Sequence, residues 1–479
     1  MNSMPKKQLW VISAVFAVLY LMIVLVNHYC FRTYALDLGI YTNALYDYAH
    51  GQLNDATSFK LEAQNLLSDH LDLSLMLVSP LSYLFGQYTL LLVQVASILL
   101  GGFGLAQWVS IKLNKSDWQR QVMLAFYLFF GVYSALSFVY HSNVLAACLL
   151  PWLLVFLHKQ KWVSMYLIAL LMLFTKESVA LWLLGVGGFI AVTDWSTKAI
   201  RIHAFILMVG SLLYFYLAIV WIMPALSINQ SYNHFKYHVL GNSYAEALLF
   251  CISHPLELIR ILFVNTTDAI SNQYVKLEFW MFILFSGAWA LVFLPRYALL
   301  LIVPLVSKMA YDDPAIWSID CHYAIEFAPV LVMLLAEFKK RYATRLLPWS
   351  VLIALNALVS IRLMDHTVYL HDYQRLRLYQ KGHYTRGYEL APVYEALSKI
   401  PDTVAVSAQT AFMPHLAYRS KAYQFPIVKD ARWIIVSTCE DITYPLSKSD
   451  FSTTVKAFLT DTSWQVVYQK PEVILLHKP

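Results

Sequence analysis

The sequence predicts a mainly α-helical, polytopic membrane protein with a small α/β domain at its C-terminal end. Of its 479 residues, 59% are hydrophobic and 13% are charged, and the mean hydropathy is +0.55. Soluble domains carry about 25% charged residues, so this composition excludes an ordinary soluble protein. Long apolar runs fill the chain as far as residue 364 and stop there. We therefore expect a membrane domain over residues 1–364 and an α/β domain over residues 365–479.

A membrane helix needs about 20 mainly apolar residues, and the apolar runs predict about eleven such helices. The expected spans are 9–28, 88–110, 121–139, 143–158, 161–175, 177–193, 202–223, 277–294, 297–311, 322–338 and 346–364. The first run is too long for a signal-peptide core and lacks a small-residue cleavage site. We therefore expect it to be retained as a helix.

Basic residues mark every second connection between these spans. They are Lys6 and Lys7, then Lys112, Lys115 and Arg120, then Lys159 and Lys161, then Lys198 and Arg201, then Arg296, then Lys339, Lys340, Arg341 and Arg345. Positively charged loops stay in the cytoplasm, so the N-terminus is predicted to be cytoplasmic. Residues 29–87, 141–143, 176–177, 224–276, 312–321 and the C-terminal domain are then predicted to lie outside.

Three stretches of the outer loops are expected to lie along the membrane surface. Residues 34–52 have apolar side chains at helical spacing, which is typical of an amphipathic surface helix. Residues 69–86 are apolar but contain Pro80 and early charges, and residues 245–264 contain His254, Pro255 and Arg260. We predict surface helices in all three rather than further spans.

The C-terminal region mixes short β-rich stretches with helical ones. The expected strands are 403–407, 422–425 and 433–437, followed by a hairpin of 464–469 with 473–477. Helices are expected over 410–417 and 455–460.

Candidate chemistry begins with Asp37, just beyond the first span. A carboxylate at a membrane surface is costly to desolvate, and it suits a general base that takes a proton from an acceptor hydroxyl. An N-cap for the following helix is the alternative. Asp69 could equally be a helix cap, and His70 could donate to a phosphate. Asp47 and Asp72 are expected to face solvent.

Two outer turns carry the remaining polar residues of this level. Lys176 and Glu177 interrupt an apolar stretch at its outer corner. They either neutralise one another or provide a phosphate clamp through the lysine. Asp320 and His322 begin the tenth span from outside, at the expected level of Asp37. His141 lies between two predicted spans. It is either a site residue or an ordinary loop histidine.

The long outer loop over 224–276 adds a mixture of groups that suits a sugar phosphate, although loop histidines are often merely exposed. They are Tyr232, His234, Lys236, His238 and Arg260. The sequence contains no Gly-x-Gly-x-x-Gly, Walker, His-Glu-x-x-His or paired CxxC motif, which argues against nucleotide hydrolysis and structural zinc. The net charge of +6 is dispersed, which argues against a nucleic-acid partner.

Several short motifs, in this order, resemble one integral-membrane family, which is known as domain of unknown function twenty seventy-nine. They are Asp37-Leu38-Gly39-Ile40, Asp69-His70, Pro80-Leu81 with Phe85-Gly86, Lys176-Glu177, Asp320-x-His322-Tyr323, and His415-Leu416 with Arg419 and Phe425-Pro426. That family is similar to the GT-C glycosyltransferases. The resemblance implies a GT-C membrane core whose first outer loop carries an acid, matched here by Asp37.

The chain departs from the expected family pattern at one place. Tyr140-His141-Ser142-Asn143 stands where Phe-His-Pro-Glu is expected. The missing glutamate puts a second acid at this position in doubt.

The resemblance implies an enzyme of the bacterial inner membrane that moves a sugar from a polyprenyl-phosphate donor to an extracytoplasmic acceptor, usually with inversion. Asp37 would be the base. Lys176 and His322 would stabilise the leaving phosphate, and His70 and Glu177 would position the substrate. No cofactor is expected, and a divalent metal is possible but not favoured. A flippase for lipid-linked sugars and a non-catalytic envelope scaffold are the alternatives.

Overall fold

The computed structural model describes residues 6–193, 197–266, 273–342, 347–369 and 373–479, most of them in helices. Each of the eleven predicted spans coincides with a helix or a pair of helices in these ranges. The basic residue Arg345 and the predicted start of the last span at residue 346 lie outside the described residues. The helical bundle that the composition predicts is thus confirmed.

The helices of the bundle follow one another with short connections. In chain order they are Lys6–Tyr29, Thr89–Leu113, Gln119–Tyr127 with Phe130–Ser137, Ser142–His158, Trp162–Leu173, Val179–Thr193, Lys198–Leu217 with Met223–Leu226, Val275–Phe285, Ala298–Met309, Phe327–Tyr342 and Trp349–Asp365. Within the described ranges, four helical stretches, some of them made of several helices in succession, are long and apolar enough to cross a membrane. They are Lys7–Tyr29, Ser74–Leu113, Lys198–Leu226 and Pro314–Tyr342.

The predicted surface helices are shorter than expected. Residues 34–52 form a turn, Ala35–Gly39, and a helix, Ile40–Ala49. Residues 69–86 break into Ser74–Val78, Ser79–Leu81 and Ser82–Phe85, and Pro80 stands at the first break. Proline lacks the N–H that would continue the helix, which explains this break. Residues 245–264 form two helices, Tyr244–Ser253 and Pro255–Phe263.

Basic connections gather at one end of the bundle. The ammonium groups of Lys115 and Lys339 lie 5.2 and 5.5 Å from the Trp118 ring, although they belong to different connections. Arg296 and Arg341 both pair with Glu337. We refer to this as the basic end and to the other as the acidic–histidine end. That the basic end faces the cytoplasm stays a prediction.

The C-terminal region contains a five-stranded sheet in the order β2-β1-β3-β5-β4. The strands are β1 Val406–Ala408, β2 Ala422–Gln424, β3 Trp433–Val436, β4 Gln465–Lys470 and β5 Val473–His477. Strand β1 pairs in parallel with β2 and β3, whereas β5 is antiparallel to β3 and β4. The helices Ala391–Ser398, Met413–Leu416 and Lys448–Thr460 complete this part. Four of the strands lie within one residue of their predicted bounds, whereas β1, which is predicted over 403–407, begins three residues later.

The sheet region packs directly against the first outer loop. Phe31 and Ala35 share a buried cluster with Val393, Phe412 and Met413. Backbone contact adds to this packing, because the N–H of Ala35 donates to Thr410 Oγ1 at 3.2 Å. The C-terminal region therefore supports the turn that carries Asp37. The domain boundary at residue 364 stays a prediction.

Candidate active site at the acidic–histidine end

Asp37 lies in a strained turn rather than in a regular helix. Its backbone angles are φ 69° and ψ −90°. Residues other than glycine rarely adopt such angles, and they persist only where the surrounding structure imposes them. The turn is held from both sides, because Gly39 N–H donates to Tyr34 O at 3.2 Å and Ala35 N–H donates to Thr410 Oγ1. About a third of the Asp37 side chain stays accessible (32%).

The carboxylate of Asp37 faces a pair of stacked histidines. Its Oδ1 atom lies 3.3 Å from Nε2 of His141. The rings of His141 and His322 are stacked with centroids 3.4 Å apart and planes 16° apart. Asp37 and His322 are therefore brought together through His141, although they are far apart in the chain. We call these three residues the Asp–His–His group.

Backbone strain also fixes His141. The residue two positions before it, Val139, has φ 66°, which is a rare angle for a β-branched side chain. The His141 N–H donates to Gln94 Oε1 at 2.9 Å, so the second span holds the loop in place. His322 is buried, and its Nδ1 atom has no hydrogen-bond partner among the described residues. A buried nitrogen without a partner is uncommon in proteins, which marks His322 as unusual.

A second polar cluster connects the first outer loop to the corner at Lys176. His70 Nδ1 lies 3.2 Å from Glu177 Oε1, and Leu71 N–H donates to the other carboxylate oxygen at 3.2 Å. Tyr232 also donates to Glu177, at 3.4 Å. His234 Nε2 lies 3.0 Å from Asp69 Oδ1, and its ring lies 4.4 Å from the ring of His70. Polar residues that the sequence singles out separately therefore form one network, which we call the His70 cluster.

The electrostatics of the His70 cluster follow from burial and from its pairs. Burial alone would raise the pKa of Asp69, but the hydrogen bond from His234 and the charge of His70 hold it well below its usual value. Burial and the charge of Lys176 lower the pKa of His70. Asp69 is therefore a carboxylate at neutral pH.

A cavity of about 100 Å³ that opens partly to solvent lies between these groups. The charged and titratable residues that line it include His70, Lys176, Glu177, Lys308 and Glu326. Five tyrosines complete much of the wall, namely Tyr232, Tyr237, Tyr244, Tyr311 and Tyr323. The cavity adjoins the Asp–His–His group, because the ring of Tyr323 lies 4.0 Å from the ring of His322.

Two charged residues of this cavity, Lys308 and Glu326, are not among the site residues that the sequence predicts. Lys308 is almost fully buried, and its ammonium donates to the carbonyls of Ile316 and Ser318, the latter at 2.6 Å. Glu326 accepts from Asn143 Nδ2 at 3.2 Å. Both interrupt apolar spans, and a charge inside a span is itself a signal of function. Asn143 stands where the family pattern has a glutamate, and its amide donates a hydrogen bond to the carboxylate of Glu326.

Two predicted site residues, Arg260 and Asp320, lie outside the cavity, the Asp–His–His group and the His70 cluster. Arg260 is exposed and pairs with Glu257 at 3.2 Å. Asp320 is half-buried, and its N–H donates to Ser318 Oγ at 3.3 Å. Neither lines the cavity.

The expectation of solvent-facing Asp47 and Asp72 is wrong. Asp47 is buried and accepts from Asn54 at 2.8 Å, and burial raises its pKa to about 6. Asp72 is buried beside Ser74, and burial raises its pKa to about 7 despite hydrogen bonds from Ser74 and Ser142. Single-residue reasoning failed here because loops outside the bundle fold back onto these carboxylates.

One group of side chains has the composition of a metal site. The potential ligand atoms of Asp69, His70 and His234 lie within 4.8 Å of one another. Two imidazoles and a carboxylate suit zinc or another divalent transition metal. The same atoms satisfy one another through the Asp69–His234 and His70–Glu177 pairs, so the cluster is complete without an ion.

Comparison with known proteins decides the family. The family model described as "Predicted membrane protein (DUF2079)" matches residues 27–473. The chain belongs to this family. Among solved structures, ArnT from Cupriavidus metallidurans bound to undecaprenyl phosphate is similar, with a TM-score of 0.48 and 12% identity over 98% of this chain and 97% of that chain. No curated protein matches the chain.

Proposed function

We propose that this membrane protein is a glycosyltransferase that moves a sugar from a polyprenyl-phosphate donor to an extracytoplasmic acceptor. The observation that carries the proposal is the Asp–His–His group beside a cavity that contains two lysines. A base and a cationic phosphate site at the same end of a membrane bundle are the two requirements of this reaction. The chain also belongs to the membrane-protein family that its motifs indicate.

The proposed reaction is a single in-line displacement. Asp37 removes the proton of an acceptor hydroxyl, and the oxygen attacks the anomeric carbon of the sugar. The bond from that carbon to the phosphate oxygen breaks, and the phosphate leaves with the electron pair. This order inverts the anomeric centre and needs no covalent intermediate. His141, at 3.3 Å, orients the Asp37 carboxylate and can accept its proton afterwards.

Cationic groups stabilise the leaving phosphate in this proposal. Lys176 and Lys308 both line the cavity, where water is partly excluded and a fixed charge acts strongly. His322 adds a nitrogen that has no partner among the described residues, which can hydrogen-bond the phosphate or the sugar. Glu177 and His70 position Lys176 and the outer loop through their mutual contact. No metal or other cofactor is required for this step.

Tyrosines and carboxylates of the cavity suit the sugar. Aromatic faces stack on sugar rings, and the hydroxyl groups of Tyr232 and Tyr244, 3.3 Å apart, can bond sugar hydroxyls. Glu326, which also lines the cavity, offers an acceptor oxygen. The sugar would lie between the phosphate site and Asp37. The acceptor would approach from the exposed side of Asp37.

The reaction is proposed to take place on the outer side of the bacterial inner membrane. This orientation can be tested with added cysteines in a background variant that lacks the exposed Cys439 and the half-buried Cys251; the other three cysteines are buried. Glu62 belongs to the first outer loop, and Lys159 belongs to a basic connection; both are exposed. A membrane-impermeant maleimide should label Glu62→Cys in intact spheroplasts and Lys159→Cys only after lysis. The opposite labelling pattern would refute the orientation.

Loss of the gene product gives the direct functional test. Mass spectrometry of envelope glycans and lipid-linked sugars should show a glycan that disappears in the deletion strain while its polyprenyl-linked precursor accumulates. Complementation with wild type should restore the glycan. An unchanged set of glycans and precursors would contradict the proposal.

A further inference from the structure

A second candidate site lies between the helices Val275–Phe285 and Trp349–Asp365, at the lipid-facing surface of the bundle. These helices leave a groove with a volume of about 540 Å³, within the range of about 300–1,000 Å³ that is typical of ligand sites. Its walls are formed by Leu277, Met281 and Phe285 on one helix and by Leu355, Leu358 and Val359 on the other. None of these residues lines the cavity of the proposed reaction.

The groove has the dimensions and orientation of an alkyl-chain site. Leu277, Met281 and Phe285 are spaced four residues apart and thus form one stripe along their helix. All three are about half exposed, although they are apolar. A lipid chain that lies along this stripe would cover it from the membrane side, where such surfaces are covered.

One end of the groove carries two opposite charges. Glu278 belongs to the first turn of its helix, and Arg362 belongs to the last turn of the antiparallel helix. Both line the groove, and no ion pair joins them in the described part of the chain. Glu278 and Arg362 lie at the same end of the bundle as residues 224–266, some of which line the cavity. This end is the predicted outer surface. A lipid head group would be at this level.

Glu278 provides the observation that points to a ligand. Its side chain is only 7% exposed. One carboxylate oxygen accepts from Val368 N–H at 3.0 Å. The other, Oε1, is buried and receives no hydrogen bond within the described residues. An unsatisfied carboxylate oxygen next to lipid is costly, and a bound donor would remove that cost.

We propose that this groove binds a zwitterionic phospholipid. An ammonium group would donate to Glu278 Oε1, the adjacent phosphate would contact Arg362, and an acyl chain would lie along the apolar stripe. A polyprenyl phosphate fits less well, since it brings an anion without a cation and would repel Glu278. An anionic phospholipid such as phosphatidylglycerol likewise leaves Glu278 without an ammonium partner.

The test measures lipid retention by the purified full-length chain. The protein is extracted from membranes, washed in detergent, and exposed to equimolar phosphatidylethanolamine and phosphatidylglycerol before native mass spectrometry. Wild type should retain phosphatidylethanolamine in excess. Glu278→Gln should lower that retention at least fivefold and leave phosphatidylglycerol unchanged, whereas Arg362→Gln should lower both. Glu257→Gln, an exposed acid outside the groove, is the matched control and should behave as wild type.

A second measurement separates lipid binding from folding defects. Each variant is placed in phosphatidylglycerol nanodiscs, and its unfolding midpoint is recorded before and after phosphatidylethanolamine is added. A ligand that binds only the folded state raises the midpoint, so wild type should show an increase that Glu278→Gln lacks. The proposal would be overturned if both proteins showed equal increases or if wild type retained both phospholipids equally. It would also be overturned if polyprenyl phosphate, added in equal amount in a parallel retention experiment, were retained in preference to phosphatidylethanolamine.

Discussion

Replacement of Asp37 by Asn tests the proposed base with little disturbance of the fold. The side chains have the same shape, and asparagine tolerates positive φ as well as aspartate does, so the turn at φ 69° should persist. The carboxylate is a third exposed, and its ion pair within the described chain is with His141. The free energy of unfolding should therefore change by less than about 1 kcal/mol.

The catalytic effect should be much larger. A positioned general base contributes about 10²- to 10⁴-fold to the rate, which corresponds to about 2.7 to 5.4 kcal/mol of transition-state stabilisation. The amide that replaces the Asp37 carboxylate cannot take a proton from the acceptor hydroxyl. We therefore expect Asp37→Asn to lower the rate of transfer at least 100-fold while donor binding remains within a few fold of wild type.

The assay follows a product that is common to all sugars. Membrane vesicles that contain the acceptor receive a polyprenyl-linked sugar extract, and released polyprenyl phosphate is quantified by mass spectrometry. Glu62→Gln, an exposed carboxylate of the same loop, is the matched control and should release as much as wild type. Asp37→Asn protein that releases polyprenyl phosphate at more than a third of the wild-type rate would refute the role of Asp37. A scaffold would behave in that way.

Three further predictions concern the cavity. Lys176→Gln should raise the KM for the lipid donor about tenfold or more, because a phosphate loses a cationic contact; an unchanged KM and kcat would argue against the clamp. Asn143→Asp should place a second carboxylate about 3.2 Å from Glu326 and lower the unfolding midpoint. Adding Glu326→Gln to the same chain should restore the midpoint, with a coupling energy between the two substitutions of roughly 1–3 kcal/mol. Additive effects of the two substitutions would contradict the contact. Chelation with EDTA should leave transfer unchanged, whereas stimulation by zinc that disappears in His234→Ala would show that the His70 cluster works as a metal site.

Much of the fold could be predicted because its signals are local. Apolar length locates the spans, and β-rich stretches between polar turns locate all five strands. The surface helices were less predictable, since Pro80 divides one of them and a strained turn replaces the start of another. Such a turn depends on contacts with residues far along the chain, such as Thr410, which local patterns do not contain.

The candidate site was predictable as a set of residues but not as an arrangement. Asp37, His141 and His322 were each singled out, yet only the structure stacks the two rings and brings the carboxylate to them. Lys308 and Glu326 fall within predicted apolar spans, so the sequence pattern does not indicate them as site residues. Only the composition of its loop predicts Arg260 as a site residue, and in the structure it pairs with Glu257 one helical turn away.

The central claim is that the cavity between Lys176 and Lys308 holds the phosphate of a lipid-linked sugar within reach of Asp37. The most direct measurement is an electron cryo-microscopy structure of the full chain with a polyprenyl-phosphate sugar, in the Asp37→Asn variant to prevent turnover. We predict phosphate density between the two ammonium groups and sugar density toward residue 37. Lipid phosphate bound elsewhere, with this cavity filled only by water, would contradict the account.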